Sequence, residues 1–127
     1  MSQDSRVRAD EVMSTPVETI SKGASVTEAV QVMREHDIGA LLVTSGPPGI
    51  VTSTDVLDAV AEGRDLSTLS VADLMTTPVE TVPPELHLEE VAAMMTSLGI
   101  SHLPVVDGDP VGMISSTDVT AQLSRSG

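Results

Sequence analysis

The chain has 127 residues, of which 40% are hydrophobic, with no cysteine and no aromatic residue. Its formal net charge is −13, because 19 acidic residues outnumber six lysines and arginines. The lack of cysteine excludes disulfides and thiolate metal sites, and the strong negative charge disfavours binding to nucleic acids and anionic membranes. The length suits one compact domain or two small half-domains that share a core.

The sequence has no apolar run of about 18 residues, so it predicts no membrane-spanning helix. The N-terminal stretch MSQDSRVRADE contains two arginines with no apolar stretch after them, which argues against a secretory signal. We therefore expect a cytoplasmic protein. The acidity has two explanations: solubility alone, or the halophile-like adaptation of a carboxylate surface that stays hydrated at high intracellular salt.

In chain order, residues 1–11 are expected to form a flexible N-terminus, and the first copy of a repeated pattern spans 12–63. After TPVETI and a loop, apolar residues recur at i, i+3, i+4 and i+7, which predicts an amphipathic helix. Ser25 and Glu28 suit a capping box at its start. The apolar residues of this helix are Val26, Ala29, Val30 and Met33.

The first copy continues with the apolar run IGALLV, which is too brief for a helix and predicts a buried strand. The turn SGPPG leads to a second strand, IVTS, and a closing helix is expected from Thr54 to the sequence AEGR. Gly63 is the expected C-terminal cap of that helix. Residues 64–73 are predicted to link the two copies, with room for a short helix.

The second copy spans 74–123, and residues 124–127 form a C-terminal tail. Aligning 75–105 with 13–43, at an offset of 62, gives 11 identities in 31 positions, which indicates a duplication. The second amphipathic helix repeats the apolar spacing with Leu88, Val91, Ala92 and Met95.

A weaker cap, His87 with Glu90, precedes that helix, and the segments ISHLPVV, DGDPVG and MISS repeat the strand, turn and strand. The closing helix is expected from Thr117. The offset becomes 63 here, because the first copy lacks one residue near Val111. Each copy is thus predicted as strand, helix, strand, strand, helix, in the α/β (α+β) class, with two small sheets that pack together.

The phrase GIVTSTD, from Gly49 to Asp55, recurs as GMISSTD, from Gly112 to Asp118. A purely structural explanation makes the first hydroxyl a helix cap and the aspartate a residue of the first turn. A binding explanation uses the helix N-terminus and the hydroxyls for phosphate, and the carboxylate for the two hydroxyls of a ribose. The glycine then allows another segment to approach closely.

The order MTTPVETV, amphipathic helix, GISHLPVVD, GMISSTD resembles the cystathionine-β-synthase (CBS) domain, and the two copies together resemble a CBS pair, or Bateman module. The resemblance covers residues 12 to about 123. It implies sheets that associate around a pseudo-twofold axis, and two adenosine-ligand sites in the cleft between the copies. It also implies regulation rather than catalysis, so no enzyme activity is expected.

Carried over from the family, each site combines residues of both copies. The site built on Asp118 would bind through Thr15, Val17, Thr19, Ile38, Gly39, Ala40, His102, Ser115, Thr117 and Asp118. The site built on Asp55 would bind through Thr77, Val79, Thr81, Ile100, Ser101, Thr52, Thr54 and Asp55, with His102 beside its adenine wall.

The two sites are expected to be unequal. Family members that bind polyphosphates often place Arg or His where the second copy has His102, whereas the first copy has Ala40. The three histidines lack metal-ligand spacing, so no metal and no cofactor are predicted.

The sequence thus favours a freestanding CBS pair, a homodimer that regulates an unknown protein partner through conformational or oligomeric change. The predicted ligand is AMP, with ADP, ATP, S-adenosylmethionine and NAD as alternatives. The competing hypothesis is a ligand-free homodimeric interaction scaffold.

Overall fold

A computed structural model describes residues 6–126 of the chain, apart from the side chain of Ser126. Contacts group the residues into two compact units. One unit, here called the continuous unit, is Glu18–Val79. The other, here called the split unit, is made of two chain segments, one ending at Val17 and one beginning at Glu80.

Six α-helices and five strands occur in the described residues, with a single 3-10 turn at Leu66–Thr68. In chain order they are α1 (Ala9–Val12), β1 (Thr19–Ser21), α2 (Val26–His36), β2 (Ala40–Thr44), β3 (Gly49–Thr52), α3 (Ser53–Ala61), α4 (Val71–Leu74), α5 (Leu88–Leu98), β4 (His102–Asp107), β5 (Asp109–Ser115) and α6 (Ser116–Ser126). None of these helices is long and apolar enough to cross a membrane.

The continuous unit contains a three-stranded sheet in the order β1-β2-β3. Strand β1 pairs parallel to β2, with Thr19 opposite Leu42, and β3 pairs antiparallel to β2, with Thr52 opposite Ala40. Helix α2 buries the face that its apolar spacing predicted. The buried cluster of this unit consists of Ile20, Ala29, Met33, Leu41, Val43, Val51 and Val71.

The split unit contains the antiparallel pair β4-β5, with His102 opposite Ser115. Its predicted first strand is reduced to one parallel bridge between Val82 and Val105. Pro83 follows at once, and proline has no N–H with which to extend a ladder. The buried cluster here consists of Ala9, Val82, Leu88, Val91, Met95, Leu103, Val105, Ile114 and Val119.

The extra residue of the second copy forms a bulge. Val105 lies opposite Gly112 and Val106 lies opposite Pro110, so Val111 has no partner on β4. The closing helices α3 and α6 begin at Ser53 and Ser116, one residue before the predicted starts. They begin earlier because the residue that caps each helix, Thr52 or Ser115, stands directly before it.

A short helix stands at the start of each copy, α1 for the first and α4 for the second. Each of these leading helices packs in the unit that holds most of the other copy. Helix α1 lies in the split unit, where Ala9 is fully buried and its N–H donates to the carbonyl of Leu86 at 2.7 Å. Helix α4 occupies the same place in the continuous unit, where buried Val71 donates to the carbonyl of Ala24 at 2.8 Å. The segment expected to be a flexible N-terminus therefore includes a helix with a buried residue, while residues 1–5 lie outside the described part.

Candidate functional site

The repeated phrase forms the start of a closing helix in each unit. In the continuous unit, the N–H of Asp55 donates to Oγ1 of Thr52 at 3.2 Å, and the N–H of Thr52 donates to Oδ2 of Asp55 at 2.9 Å. This reciprocal pair is a capping box, which satisfies two backbone donors that the helix would otherwise leave unpaired. The structural explanation of Thr52 and Asp55 is thereby confirmed.

The split unit repeats the same capping box one helix later. The N–H of Asp118 donates to Oγ of Ser115, and the N–H of Ser115 donates to Oδ2 of Asp118, both at 3.1 Å. In each box only one carboxylate oxygen, Oδ2, takes part, so Oδ1 is outside the box. Thr54 and Thr117 are exposed in the first helical turn. The N–H before each of them donates to a carbonyl, that of Gly39 or Ser101, and the N–H after each donates in the capping box.

Gly49 allows a close approach of two backbone segments. A Cβ at this position would lie 2.8 Å from the carbonyl oxygen of Thr76. Ile50 and Thr76 exchange backbone hydrogen bonds of 3.0 Å and 2.9 Å, which holds the segment MTTPV against β3. The hydroxyl of Thr77 donates to the carbonyl of Pro48 at 3.2 Å. A side chain at Gly49 would push this segment away.

Gly112 allows the equivalent approach in the split unit. A Cβ there would overlap the side chain of Met13, with Cγ only 2.6 Å away. Ser14 and Met113 exchange backbone hydrogen bonds of 2.8 Å and 3.1 Å. The TPV segment of each copy therefore lies beside the repeated phrase of the other copy. The sequence predicted the close approach, and the family resemblance assigned the TPV segment of the other copy to each site. The immediate neighbours of the two glycines, Met13 and Thr76, were not predicted, because they depend on contacts between residues far apart in the chain.

The predicted residues of each site are divided between the two units. Of the site built on Asp118, the split unit holds Thr15, Val17, His102, Ser115, Thr117 and Asp118, and the continuous unit holds Thr19, Ile38, Gly39 and Ala40. Of the site built on Asp55, the continuous unit holds Thr52, Thr54, Asp55, Thr77 and Val79, and the split unit holds Thr81, Ile100 and Ser101. Each unit thus brings together a helix start and the TPV segment beside it, and the remaining residues stay predictions.

His102 is the most unusual polar residue of the split unit. It is half-buried on β4, opposite Ser115, and its Nδ1 atom is buried without a hydrogen-bond partner among the described residues. Burial lowers the pKa of His102, and the carboxylate of Asp118 partly opposes that shift. The imidazole is therefore neutral at pH 7, since its ordinary pKa is about 6.5.

The continuous unit has no equivalent of this imidazole. Ala40 occupies the place of His102, lies opposite Thr52, and is only 4% exposed. The two helix starts therefore have the same type of capping box, but the residue opposite the capping residue is Ala40 in one unit and His102 in the other. In the described residues, no group of three or more histidine, aspartate or glutamate side chains could hold a metal ion.

Sequence reasoning missed a groove on the continuous unit, between α2 and α3. It encloses about 340 Å³ and is mainly apolar, with Val30, Met33, Ile38, Val56 and Leu57 in its lining, and with Arg34 and Asp37 beside them. Leu57 is 66% exposed and Val60 is 53% exposed. The sequence of α3 could have predicted an apolar surface here, because α3 has more apolar residues than one buried helix face requires.

The comparisons with known proteins identify the repeat. The family model described as CBS domain matches residues 9–62 and again 71–125. The CBS domain-containing protein YhcV of Bacillus subtilis is 33% identical over 113 residues, covering 86% of this chain and 80% of that protein. The chain spans 57% and 24% of the length of two other curated relatives, the second of them a homoserine O-acetyltransferase from Methanohalobium evestigatum.

Solved structures agree with this match. The hexameric CBS-CP12 protein from bloom-forming cyanobacteria superposes with a TM-score of 0.88 at 35% identity, covering 92% of this chain and 72% of that one. The CBS domain pair of protein MJ0100, in complex with 5′-methylthioadenosine and S-adenosyl-L-methionine, superposes with a TM-score of 0.86 at 27% identity, covering 96% and 99%.

Proposed function

The chain belongs to the CBS domain family, and we propose that it is a regulatory CBS pair that binds an adenosine compound at the helix starts of Asp55 and Asp118. The observation that carries this proposal is the doubled arrangement of capping box, glycine and TPV segment, once in each unit. It occurs in a fold whose relative, the pair of protein MJ0100, was solved with two adenosine compounds.

The chemistry of each helix start suits a nucleoside with a polar 5′ substituent. Oδ1 of Asp55 or Asp118 can accept from a ribose hydroxyl, since a carboxylate accepts several hydrogen bonds and Oδ2 is engaged in the capping box. The hydroxyl and the N–H of Thr54 or Thr117 then face the 5′ group, because the neighbouring N–H groups of the first turn already donate within the protein. AMP is the ligand we propose first, followed by ADP, ATP, S-adenosylmethionine and NAD.

The output we propose is regulatory rather than catalytic. A ligand that binds one conformation more tightly than another raises the population of that conformation. A protein partner would respond to the favoured state. The cytoplasm, where adenine nucleotides are abundant, is the compartment in which this response has its use, and the dense carboxylate surface would keep the protein hydrated there at high salt.

Assembly into a homodimer is a further part of the proposal. The groove between α2 and α3 and the exposed Leu57 form an apolar surface, and Arg34 and Asp37 beside the groove give it charges of both signs. Such a surface can pair with itself across a twofold axis. The hexameric CBS-CP12 relative shows that a protein of this family assembles from copies. Sedimentation velocity should give a mass of at least two chains.

The competing function is a ligand-free scaffold, and the confirmed capping boxes are the observation that favours it, because they give Asp55 and Asp118 a structural role. Thermal unfolding with AMP, ADP, ATP, S-adenosylmethionine or NAD, in buffers with and without molar KCl, separates the two. A ligand at 100 times its dissociation constant adds about 2.7 kcal/mol to the free energy of unfolding. A lack of any shift would favour the scaffold.

Substitution of the aspartates tests the site itself. Asp118→Ala and Asp55→Ala should each cost about 1 kcal/mol of stability, as the loss of a cap does, and each should remove one of two binding events in calorimetry. Asp73→Ala is the matched control, because Asp73 forms the same type of capping box with Ser70 at α4, outside both predicted sites. Normal binding at both sites in Asp118→Ala would refute the assignment of the ribose to that carboxylate.

A further inference from the structure

Two methionines stand at equivalent places in the two copies, where each begins a TPV segment. They are Met13 and Met75, and each is also the C-terminal cap of a leading helix. The N–H of Met13 donates to the carbonyl of Ala9 at 3.0 Å, and that of Met75 donates to the carbonyl of Val71 at 2.9 Å. Each methionine therefore lies at the junction of a leading helix and a TPV segment.

Both side chains pack on the glycine of a repeated phrase. A Cβ at Gly112 would lie 2.6 Å from Cγ of Met13, so Met13 fills the space that a side chain at Gly112 would need. A Cβ at Gly49 would lie 3.4 Å from the sulfur of Met75. Each methionine also packs against the buried cluster of its own unit. These two side chains thus connect the core, the glycine and the TPV segment.

The composition of the chain makes methionine its most readily oxidised residue. The chain has no cysteine, tryptophan or tyrosine. Met13 and Met75 are half-buried, whereas Met33 on α2 and Met95 on α5 are each only 6% exposed. Because the oxidation of a sulfur depends on its exposure, Met13 and Met75 should react before the two core methionines.

We propose that Met13 and Met75 are oxidation sites, and that conversion of either thioether to a sulfoxide releases the TPV segment beside it. In the reaction with hydrogen peroxide, one oxygen atom is transferred to the sulfur, so that the O–O bond breaks and an S–O bond forms. The sulfur loses two electrons, and the peroxide is reduced to water. The sulfoxide is more polar than the thioether, which disfavours its burial against an apolar cluster.

The added oxygen weakens the contact with the glycine in either conformation of the side chain. If the oxidised side chain stays on the glycine, a polar group is buried beside the core. If it turns to solvent, it leaves an empty space over the glycine. The backbone hydrogen bonds that Ser14 exchanges with Met113, and that Ile50 exchanges with Thr76, should then open more often.

The two units should respond unequally. In the continuous unit, the hydroxyl of Thr77 donates to the carbonyl of Pro48 at 3.2 Å, which holds the TPV segment by a further bond. The equivalent hydroxyl of the split unit, on Thr15, makes no such bond in the described part of the chain. The methionine of the split unit also lies closer to its glycine. Oxidation should therefore release the TPV segment of the split unit more completely.

Tandem mass spectrometry locates the oxidised sulfurs in the full chain. During graded treatment with hydrogen peroxide, Met13 and Met75 should each gain the mass of one oxygen atom before Met33 and Met95 do. Simultaneous oxidation of all four would overturn their assignment as the sensitive sites.

Amide hydrogen exchange measures the release of the segments without any ligand. After oxidation, the protection of the amides of Ser14 and Met113 should fall by about tenfold or more, as the loss of a buried contact predicts. The amides of Ile50 and Thr76 should lose less. Unchanged protection after complete oxidation of both sulfurs would overturn the proposed release.

Leucine variants isolate each sulfur, because leucine keeps an apolar side chain of similar size that peroxide does not oxidise. In Met13→Leu, peroxide should no longer change the protection of Ser14 but should still lower that of Thr76, and Met75→Leu should give the converse. Met94→Leu is the matched control, since Met94 is half-buried on α5 and begins no TPV segment. Circular dichroism verifies the fold of each variant. A loss of protection at Ser14 that persists in Met13→Leu would show that another methionine is responsible.

Oxidation would be a second input to the regulatory module, and this consequence rests on the proposed function. The TPV segments carry residues of both predicted ligand sites, so the oxidised protein should bind AMP about tenfold more weakly or less well still. The double variant Met13→Leu with Met75→Leu should bind AMP equally before and after peroxide. If the segments are released but AMP binding is unchanged, the oxidation sites stand and their effect on the ligand is wrong. If AMP and the other adenosine compounds fail to bind even the untreated protein, the proposed function fails while the oxidation sites stand.

Discussion

The continuous unit and the split unit follow one plan but differ at equivalent places. The first strand has three residues in the continuous unit and is a single bridge in the split unit. The C-terminal cap of α2 is Asp37 and that of α5 is Gly99, both with left-handed backbone, at φ 54° and 68°. Ala40 in one unit corresponds to His102 in the other. The capping box and the glycine of the repeated phrase are the same in both.

These differences indicate which parts of the fold tolerate a change in sequence. A strand end, a helix end and a side chain at the head of a strand vary, because each alters few contacts. The close approach of the TPV segment to the repeated phrase does not vary, since it fixes the strand that leads into each closing helix. Substitutions can therefore test each difference against its counterpart in the other unit.

The largest expected effect on stability concerns helix α1, which precedes the first copy but packs in the split unit. Ala9→Asp places a charge at a fully buried position of the split unit, which should cost about 3 kcal/mol or more. Amide hydrogen exchange should show that residues 80–126 lose more protection than residues 18–79. Ala93→Asp is the control, since Ala93 is exposed on α5 and its replacement should change stability by about 0.5 kcal/mol or less. Greater loss in 18–79 would contradict the division into units.

An intermediate effect should distinguish the two glycines. Gly49→Ala forces a Cβ against the backbone oxygen of Thr76, which has little room to move, and should cost about 1–3 kcal/mol. Gly112→Ala should cost less, because the side chain of Met13 can change its rotamer. Urea denaturation measures both. Gly46→Ala serves as the control, since nothing lies within 4 Å of the added Cβ, and equal costs for all three would refute the close approach.

The smallest effect concerns the helix ends. Gly99→Ala should cost about 1 kcal/mol, because a left-handed backbone is unfavourable for residues with a side chain. Asp37→Gly should stabilise the protein by about 0.5 kcal/mol, since it gives α2 the end that α5 already has. The midpoint of urea unfolding reports both changes. Stabilisation by Gly99→Ala would show that the left-handed conformation is absent at that position.

The sequence was sufficient for elements that depend on local patterns. The spacing of Val26, Ala29 and Met33 placed α2, because residues three and four apart share a helix face. The spacing of hydroxyl and aspartate placed both helix caps. The repeat offset placed a one-residue difference in length near Val111, where the structure then shows a bulge. These features depend on residues close in the chain.

Features that depend on distant residues could not be predicted. Ala9 packs with residues of the second copy. The residues around Ala9 in the sequence do not indicate which of the two cores it covers. The loss of the second copy's first strand was readable in principle from Pro83, whose missing N–H ends the ladder. The unsatisfied Nδ1 of His102 depends on what lies around one atom, and a sequence does not contain that information.

The exchange of leading segments also bears on how such a chain could have arisen. In a polypeptide with a single copy, the core that α1 or α4 covers here would be exposed. A second polypeptide could cover that core with its own leading helix. A dimer of two such molecules, in which each covers the core of the other with its leading helix, would already contain every contact now made within these units. Joining their genes would then require only a connecting stretch, and the ancestral partnership would survive as one polypeptide.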